Sequence, residues 1–386
     1  MWYFVSPQIA FGEGALDALD EIEGRRALLV TDATLVELGL AGRVQGRLEG
    51  RGLEVRVFDG VEPDPSMETV RRGAALALDY GPDWIVGLGG GSALDAAKAI
   101  WVLYERPDLE PAAINPFIRL GLRQKARLIT IPTTSGTGAE VTWGIVLTDT
   151  EAQRKIGLGN REIVADLAIV DPALVAGLPA DVTSDTGLDA LTQAVEGYTC
   201  TWHNDLTDGL CLHALRLVME YLPRAAEGTD GEARERMHNA ATCAGLGFGN
   251  AMASVAHAMG HTLGAVFHVP HGRAVALFLP YTIEFAARET PERFADLAAL
   301  VGCSEAGGEA GARALAARIR ELCREVGNPV SVAEAGIERA AFEAALDKLV
   351  DDAFNDTQMV TAVRAPSYDE LRRLYVYAFE GRPVDF

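Results

Sequence analysis

Residues 253–273 read ASVAHAMGHTLGAVFHVPHGR and hold four of the seven histidines in a chain of 386 residues. His257 and His261 are four apart in an apolar segment rich in Ala and Gly, so on a helix both rings leave the same face, one turn apart. Pro270 is expected to stop that helix and set up the next, with His271 in its first turn, where its side chain can point back at the same spot. Convergent imidazoles among small residues suggest a metal or hydride-transfer centre, because a neutral ring nitrogen is both the commonest metal ligand and a proton shuttle. Asp189 and Gln193, in GLDALTQAVE, are also four apart. Leu188, Ala190 and Leu191 around Asp189 imply a buried helix, and a buried carboxylate needs a cation. The competing reading is a set of core histidines and a capping aspartate.

A second chemistry lies earlier in the chain. The apolar run 84–88 leads straight into Gly89, Gly90, Gly91 and Ser92. Glycines between a strand and a helix let backbone N–H groups approach a phosphate, and the helix N-terminus behind them favours its charge. Ser92 and Asp95 have the spacing of a capping box for that helix. The run only half matches GxGxxG, and its acidic companion, Asp32, lies upstream rather than downstream, so this is not the usual Rossmann fingerprint. The loop PTTSGTGAE, residues 132–140, packs hydroxyls and glycines after the strand 128–131 and reads as a further ligand-facing loop. Only four of the 34 basic residues are lysines, Lys98, Lys125, Lys155 and Lys348. Where lysine survives in so arginine-rich a chain, a compact point charge is called for.

The elements that must carry these residues alternate. Strand patterns at 26–30, 53–58, 84–88, 128–131 and 163–170 are interleaved with helix patterns, one running to about Leu48 and one from Ser66 with Val70, Ala74 and Leu78 on a shared face. That rhythm belongs to a doubly wound α/β sheet. Past Leu178 and Pro179 strand signals vanish, which predicts an α/β domain over 1–178 and an all-helical domain over 179–386. The net charge of −21, from 34 basic and 55 acidic residues, disfavours nucleic acid and anionic membranes as partners. The N-terminal stretch has no basic leader before an apolar run, and no run reaches the length of a membrane span, so a cytoplasmic location is expected. Cys200, Cys211, Cys243, Cys303 and Cys323 lack CxxC spacing and read as buried free thiols in a reducing compartment.

Together, GGGSALDAAKAI, IPTTSGTGAEVT, GLDALTQAVEGY and HAMGHTLGAVFHVPHGRAVALFLP, in this order, resemble the iron-dependent (group III) alcohol dehydrogenase family over nearly the whole chain. The resemblance implies a dehydroquinate-synthase-like dinucleotide-binding domain followed by a helical metal and substrate domain. By the resemblance Gly89, Gly90, Gly91 and Ser92 would hold the cofactor pyrophosphate, and Thr133, Thr134 and Lys155 the ribose and nicotinamide side. Asp95, Ser135, Thr137 and Leu174 complete the cofactor contacts it implies. Asp32 falls where NAD-preferring members carry an acid, and a carboxylate there repels a 2′-phosphate, which predicts NAD(H) over NADP(H). Asp189, His257 and His271 would be the ligands of Fe²⁺ or Zn²⁺ and part of the catalytic centre, with His261 beside the nicotinamide as proton relay.

The family's usual second ligand is a histidine where this chain has Gln193, whose amide oxygen would either ligate more weakly or hydrogen-bond the substrate. Trp143, Phe248 and Phe354 would face a small apolar alcohol or aldehyde, and Gly144 offers no polar grip for a second hydroxyl. The implied reaction has the metal as Lewis acid on the alcohol oxygen while hydride passes to nicotinamide. A homodimer is the implied assembly. Two other readings stand beside this one: a carbon–oxygen lyase of the dehydroquinate-synthase type, and a decayed member that only binds nucleotide.

Overall fold

A computed structural model describes residues 3–150, 154–303 and 307–386; Met1 and Trp2, part of the stretch read for a leader, lie outside them. The chain divides into two compact units, the first ending at Gly177 and the second beginning at Leu178.

In the first unit, β1 (Gln8–Phe11), β2 (Arg26–Val30), α1 (Ala33–Glu37), α2 (Leu40–Gly50), β3 (Glu54–Phe58), α3 (Met67–Tyr80), β4 (Trp84–Gly89) and α4 (Gly91–Glu105) follow in turn. After them come β5 (Arg127–Pro132), the antiparallel pair β6 (Gly144–Asp149) and β7 (Arg154–Gly159), and β8 (Leu167–Val170). Six strands form one sheet in the order β1-β8-β5-β4-β2-β3, with every neighbouring pair parallel. Helices cover both faces, which is why the strands read as unbroken apolar runs. In β2, Leu28 and Val30 enter the core cluster that also holds Val70, Ala97 and Ile100, while Ala27 and Leu29 enter the one with Val44 and Leu48. The chain leaves β2 for β3 on one side and returns to β4 on the other. The carboxyl ends of β2 and β4 are therefore the switch point where such sheets bind ligands; Gly89 is the last residue of β4, and Asp32 lies two residues past the end of β2.

Several local expectations shift. The helix pattern to Leu48 is two helices, broken where Gly39 turns left-handed at φ 78°. On α3 the buried positions are Val70, Gly73, Ala74 and Ala77, whereas Leu78 is 47% exposed. A 3.6-residue period carries the inward face from 70 and 74 to 77 rather than 78. The last strand is only Leu167–Val170, residues 161–163 forming a 3-10 turn instead. Lys155 lies in β7.

The second unit is helical throughout its described residues: α5 (Ala180–Thr199), α6 (Asp205–Ala226), α7 (Gly231–Gly249), α8 (Val255–Phe267), α9 (His271–Ala286), α10 (Pro291–Leu300), α11 (Gly308–Glu325), α12 (Arg339–Phe354) and α13 (Tyr368–Glu380). One core runs through it, with Leu191 of α5, Met259 of α8, Phe278 of α9 and Tyr375 of α13 among its members. The start of α6 is fixed by a reciprocal Asn204 and Thr207 capping box, and that of α13 by Ser367 and Glu370. No helix among the described residues is long and apolar enough to cross a membrane. All five cysteines are free thiols; Cys200, Cys211 and Cys323 are buried, and Cys243 and Cys303 are partly so.

Candidate active site

Three helices of the second unit bring the helical residues together. On α5, Asp189, Gln193 and Glu196 share one face and are all buried. His257 and His261 leave one side of α8, and His271 opens α9. The turn between α8 and α9 is made differently from the sequence expectation. The first helix ends at Phe267 because His268 turns left-handed, φ 56°, and its N–H returns to Gly264 O. Pro270 acts only at the entry of α9. Gly272 then makes the close approach possible: a Cβ there would lie 1.9 Å from the Asp185 carbonyl oxygen and 3.1 Å from Asp189 Cβ. Arg273 pins the same junction through Asp185, at 3.0 and 3.2 Å, and Asn328.

The outcome is a triad. One donor atom each of Asp189, His257 and His271 falls within 4.8 Å of the others. His257 Nε2 is 3.5 Å and His271 Nε2 3.6 Å from Asp189 Oδ1. Those separations are long for hydrogen bonds, and Asp189 Oδ1 is buried with no hydrogen-bond partner. They match donors set around one ion, since tetrahedral ligands at about 2.1 Å from zinc stand about 3.4 Å from each other. A carboxylate and two imidazoles also suit a divalent cation in charge and chemistry. The residues present therefore fit a bound Fe²⁺ or Zn²⁺.

Neighbouring charges outweigh burial at two of these groups. Burial pushes the Asp189 carboxyl upward, but His271 and His257 outweigh it and hold the group well below the usual carboxylate range. Burial likewise opposes charge on His257, yet Glu196 and Asp189 overcome it and raise its pKa to about 10.

Two carboxylate partners of the α8 histidines escaped the sequence analysis. Glu196 sits 2.5 Å from His257 Nδ1. Its signal was present: Asp189, Gln193 and Glu196, at i, i+4 and i+7, form a polar stripe on an otherwise apolar helix. Asp356 accepts from His261 Nδ1 at 2.8 Å, and only folding could bring it there from 95 residues away. Burial raises the Asp356 carboxyl, and His261 and the Gln358 N–H more than reverse this to leave it lowered. The ring of His261 lies 5.4 Å from that of His271 and 6.0 Å from that of His257, so it borders the triad while its Nδ1 is engaged elsewhere. Phe248 stacks on His257 with ring centroids 6.3 Å apart. Phe354 is 48% exposed at the end of α12, its ring against Tyr368. Gln193 is 2% exposed.

In the first unit the loops expected to face a nucleotide touch one another. Gly89 has φ 149°, and a Cβ there would stand 2.6 Å from Ala93 Cβ and 3.7 Å from Asp32 Oδ2. A Cβ on Gly90 or Gly91 would meet Thr134 or Thr137, at 3.3 and 2.8 Å. These glycines thus make room for the threonine-rich loop. Asp32 Oδ1 caps α1, accepting from Leu35 N at 3.0 Å. The Ser92 and Asp95 capping box does not form: α4 starts behind Gly90, without a side-chain cap. Ser92 Oγ instead accepts from Asp64 N, and Asp95 accepts from Val146 N at 2.9 Å and faces Lys98 Nζ at 3.5 Å. Lys155 Nζ meets Asp64 Oδ1 at 2.6 Å. Thr133 and Ser135 are buried, and Leu174 belongs to the core with Leu16 and Ile169. Trp143 packs over Gly159, where a Cβ would be 2.7 Å from the indole.

Comparison with known proteins completes the assignment. Residues 6–172 match the family model described as iron-containing alcohol dehydrogenase, and residues 183–379 match the C-terminal model of the same family. The chain belongs to the iron-containing alcohol dehydrogenase family. It is 39% identical to the NADPH-dependent butanol dehydrogenase of Clostridium saccharobutylicum, over 100% of both chains. The crystal structure of a 1,3-propanediol oxidoreductase superposes with a TM-score of 0.91 at 33% identity, covering 98% of this chain and 100% of that one. Sulfoacetaldehyde reductase from Bifidobacterium kashiwanohense, solved in complex with NAD+, gives a TM-score of 0.86 at 28% identity, covering 98% and 99%. The chain is an oxidoreductase of the alcohol dehydrogenase and aldehyde reductase class.

Proposed function

We propose that this iron-containing alcohol dehydrogenase interconverts a small apolar alcohol and its aldehyde with NAD(H), using a divalent metal held by Asp189, His257 and His271. The observation that carries the proposal is the buried, partnerless Asp189 Oδ1 facing two imidazole nitrogens. Bound, the two groups supply what no side chain can: the cation an electrophile for the alcohol oxygen, and the nicotinamide a hydride acceptor. The protein does the rest. His261, its Nδ1 proton held by Asp356, offers Nε2 as the base for the hydroxyl proton. Phe248 beside His257 gives the substrate side an apolar wall, and the glycine and threonine loops of the first unit supply backbone N–H and hydroxyl groups for a pyrophosphate. Asp32, at the switch point beside Gly89, disfavours a 2′-phosphate by charge. The free thiols fit a reducing, cytoplasmic compartment, and a homodimer is the assembly that family membership favours.

The test combines metal analysis with a panel of aldehydes, butanal and a hydroxyaldehyde among them, assayed with NADH and NADPH after addition of Fe²⁺ or Zn²⁺. The His271→Ala chain should lose its metal, and the His261→Ala chain should keep it while losing turnover. Equal metal loss in both would refute these roles. A strong preference for NADPH, the cofactor in the name of the clostridial relative, would remove the role given to Asp32.

A further inference from the structure

Glu196 has no task in the scheme above, yet its carboxylate is the most heavily engaged group near the triad. It is 4% exposed and accepts from Ser254 N at 2.9 Å, Ala256 N at 2.7 Å and His257 Nδ1 at 2.5 Å. The two backbone donors belong to the start of α8, where N–H groups lack partners within the helix. The third donor is the ring whose other nitrogen, Nε2, looks at Asp189 Oδ1. One carboxylate therefore clamps both the helix that carries His257 and the ring itself. The side chain also borders a small cavity that Thr199, Thr282 and Arg364 line. Three hydrogen bonds fix its carboxylate.

We propose that Glu196 is a positioning residue of the metal centre: it keeps the His257 proton on Nδ1 and fixes the ring plane, so that Nε2 meets the cation as a free lone pair. The inference rests on the metal-centre reading of Asp189, His257 and His271. Its physical basis is that an imidazole ligates through only one nitrogen, which the hydrogen bond of the other selects, and an anionic acceptor also makes the ligating nitrogen more basic. A residue that merely capped α8 would need the two backbone contacts and not the ring.

The experiment measures Zn²⁺ and Co²⁺ affinity of the full chain by chelator competition, beside the thermal midpoint of the metal-free protein. Glu196→Gln keeps the shape and removes the charge, and should weaken binding by roughly 10–100-fold in protein that is still folded. Glu196→Asp, which retains the charge, should recover part of that loss. A lowered midpoint with unchanged metal affinity would make Glu196 a helix cap only and overturn the proposal. Should the variants not fold, nitrogen NMR of the unsubstituted, metal-loaded protein decides, because the proposal requires the His257 proton on Nδ1 and is overturned by finding it on Nε2. If the unsubstituted chain takes up neither ion, the metal-centre reading itself fails. Equal binding by the unsubstituted and Glu196→Gln chains removes only the role of Glu196.

Discussion

A carboxylate oxygen sealed in a protein interior without a donor is costly, on the order of 1–3 kcal/mol or more for a charged group, and a fold keeps it only where something positive shares the space. Asp189 Oδ1 is in that position, and the two imidazoles beside it are the apparatus that makes the position useful. Gln193, one turn along α5, stands where the family resemblance places a third imidazole. Replacing it by histidine is expected to tighten Zn²⁺ binding by about tenfold, about 1.4 kcal/mol, read by the same chelator competition. An unchanged affinity would mean that the side chain at 193 is directed away from the ion. The histidines and Asp189 could be picked out in the sequence because helix periodicity puts residues four apart on one face. Glu196 obeyed the same rule and was passed over, because one more acidic residue in so acidic a chain draws no notice.

At the scale of elements, Lys98 explains how the glycine and threonine loops keep their shape. Its side chain is fully buried, with Nζ donating to Gly144 O at 2.9 Å and Thr142 Oγ1 at 3.3 Å and facing Asp95 at 3.5 Å. Asp95 in turn accepts from Val146 N, so the pair ties α4, which starts from the glycine loop, to β6, which follows the threonine loop. Three acceptors around one point suit an ammonium group and not a planar guanidinium, which accounts for a lysine in a chain that otherwise uses arginine. Lys98→Met would leave Asp95 buried without its cation and should cost about 3–5 kcal/mol of stability in denaturant unfolding; a loss below about 1 kcal/mol would mean that the pair ties nothing together. The failed capping box has its reason here as well. The Ser-x-x-Asp spacing was real, but the helix starts behind Gly90, two residues before Ser92, and both side chains were taken by tertiary partners.

For the molecule as a whole, 55 acidic against 34 basic residues leave a net charge of −21. Exposed ion pairs such as Arg56 with Asp79 and Arg71 with Glu110 are of small individual worth, so mutual repulsion among the surplus acids is the larger electrostatic effect on the surface. The thermal midpoint is therefore expected to rise by several degrees as sodium chloride increases, since the screening length falls from about 30 Å at 0.01 M to about 10 Å at 0.1 M. A midpoint that falls with salt would show that attraction between surface charges dominates instead.

The choice of Asp189, His257 and His271 as ligands rested on the family resemblance; the sequence by itself determined the fold class, the alternation of strand and helix, and the clustering of residues able to ligate a cation. Those properties depend on local periodicity and on the kinds of residue that can ligate a cation, and a chain carries both along its length. Only the tertiary structure decided that Glu196 and Asp356 each take the Nδ1 of one histidine on α8, and that Asp95 serves Lys98 and not a helix end. Hydrogen-bond partners that close over 95 residues leave no local pattern. They become visible only once packing has removed the water that would otherwise have satisfied them.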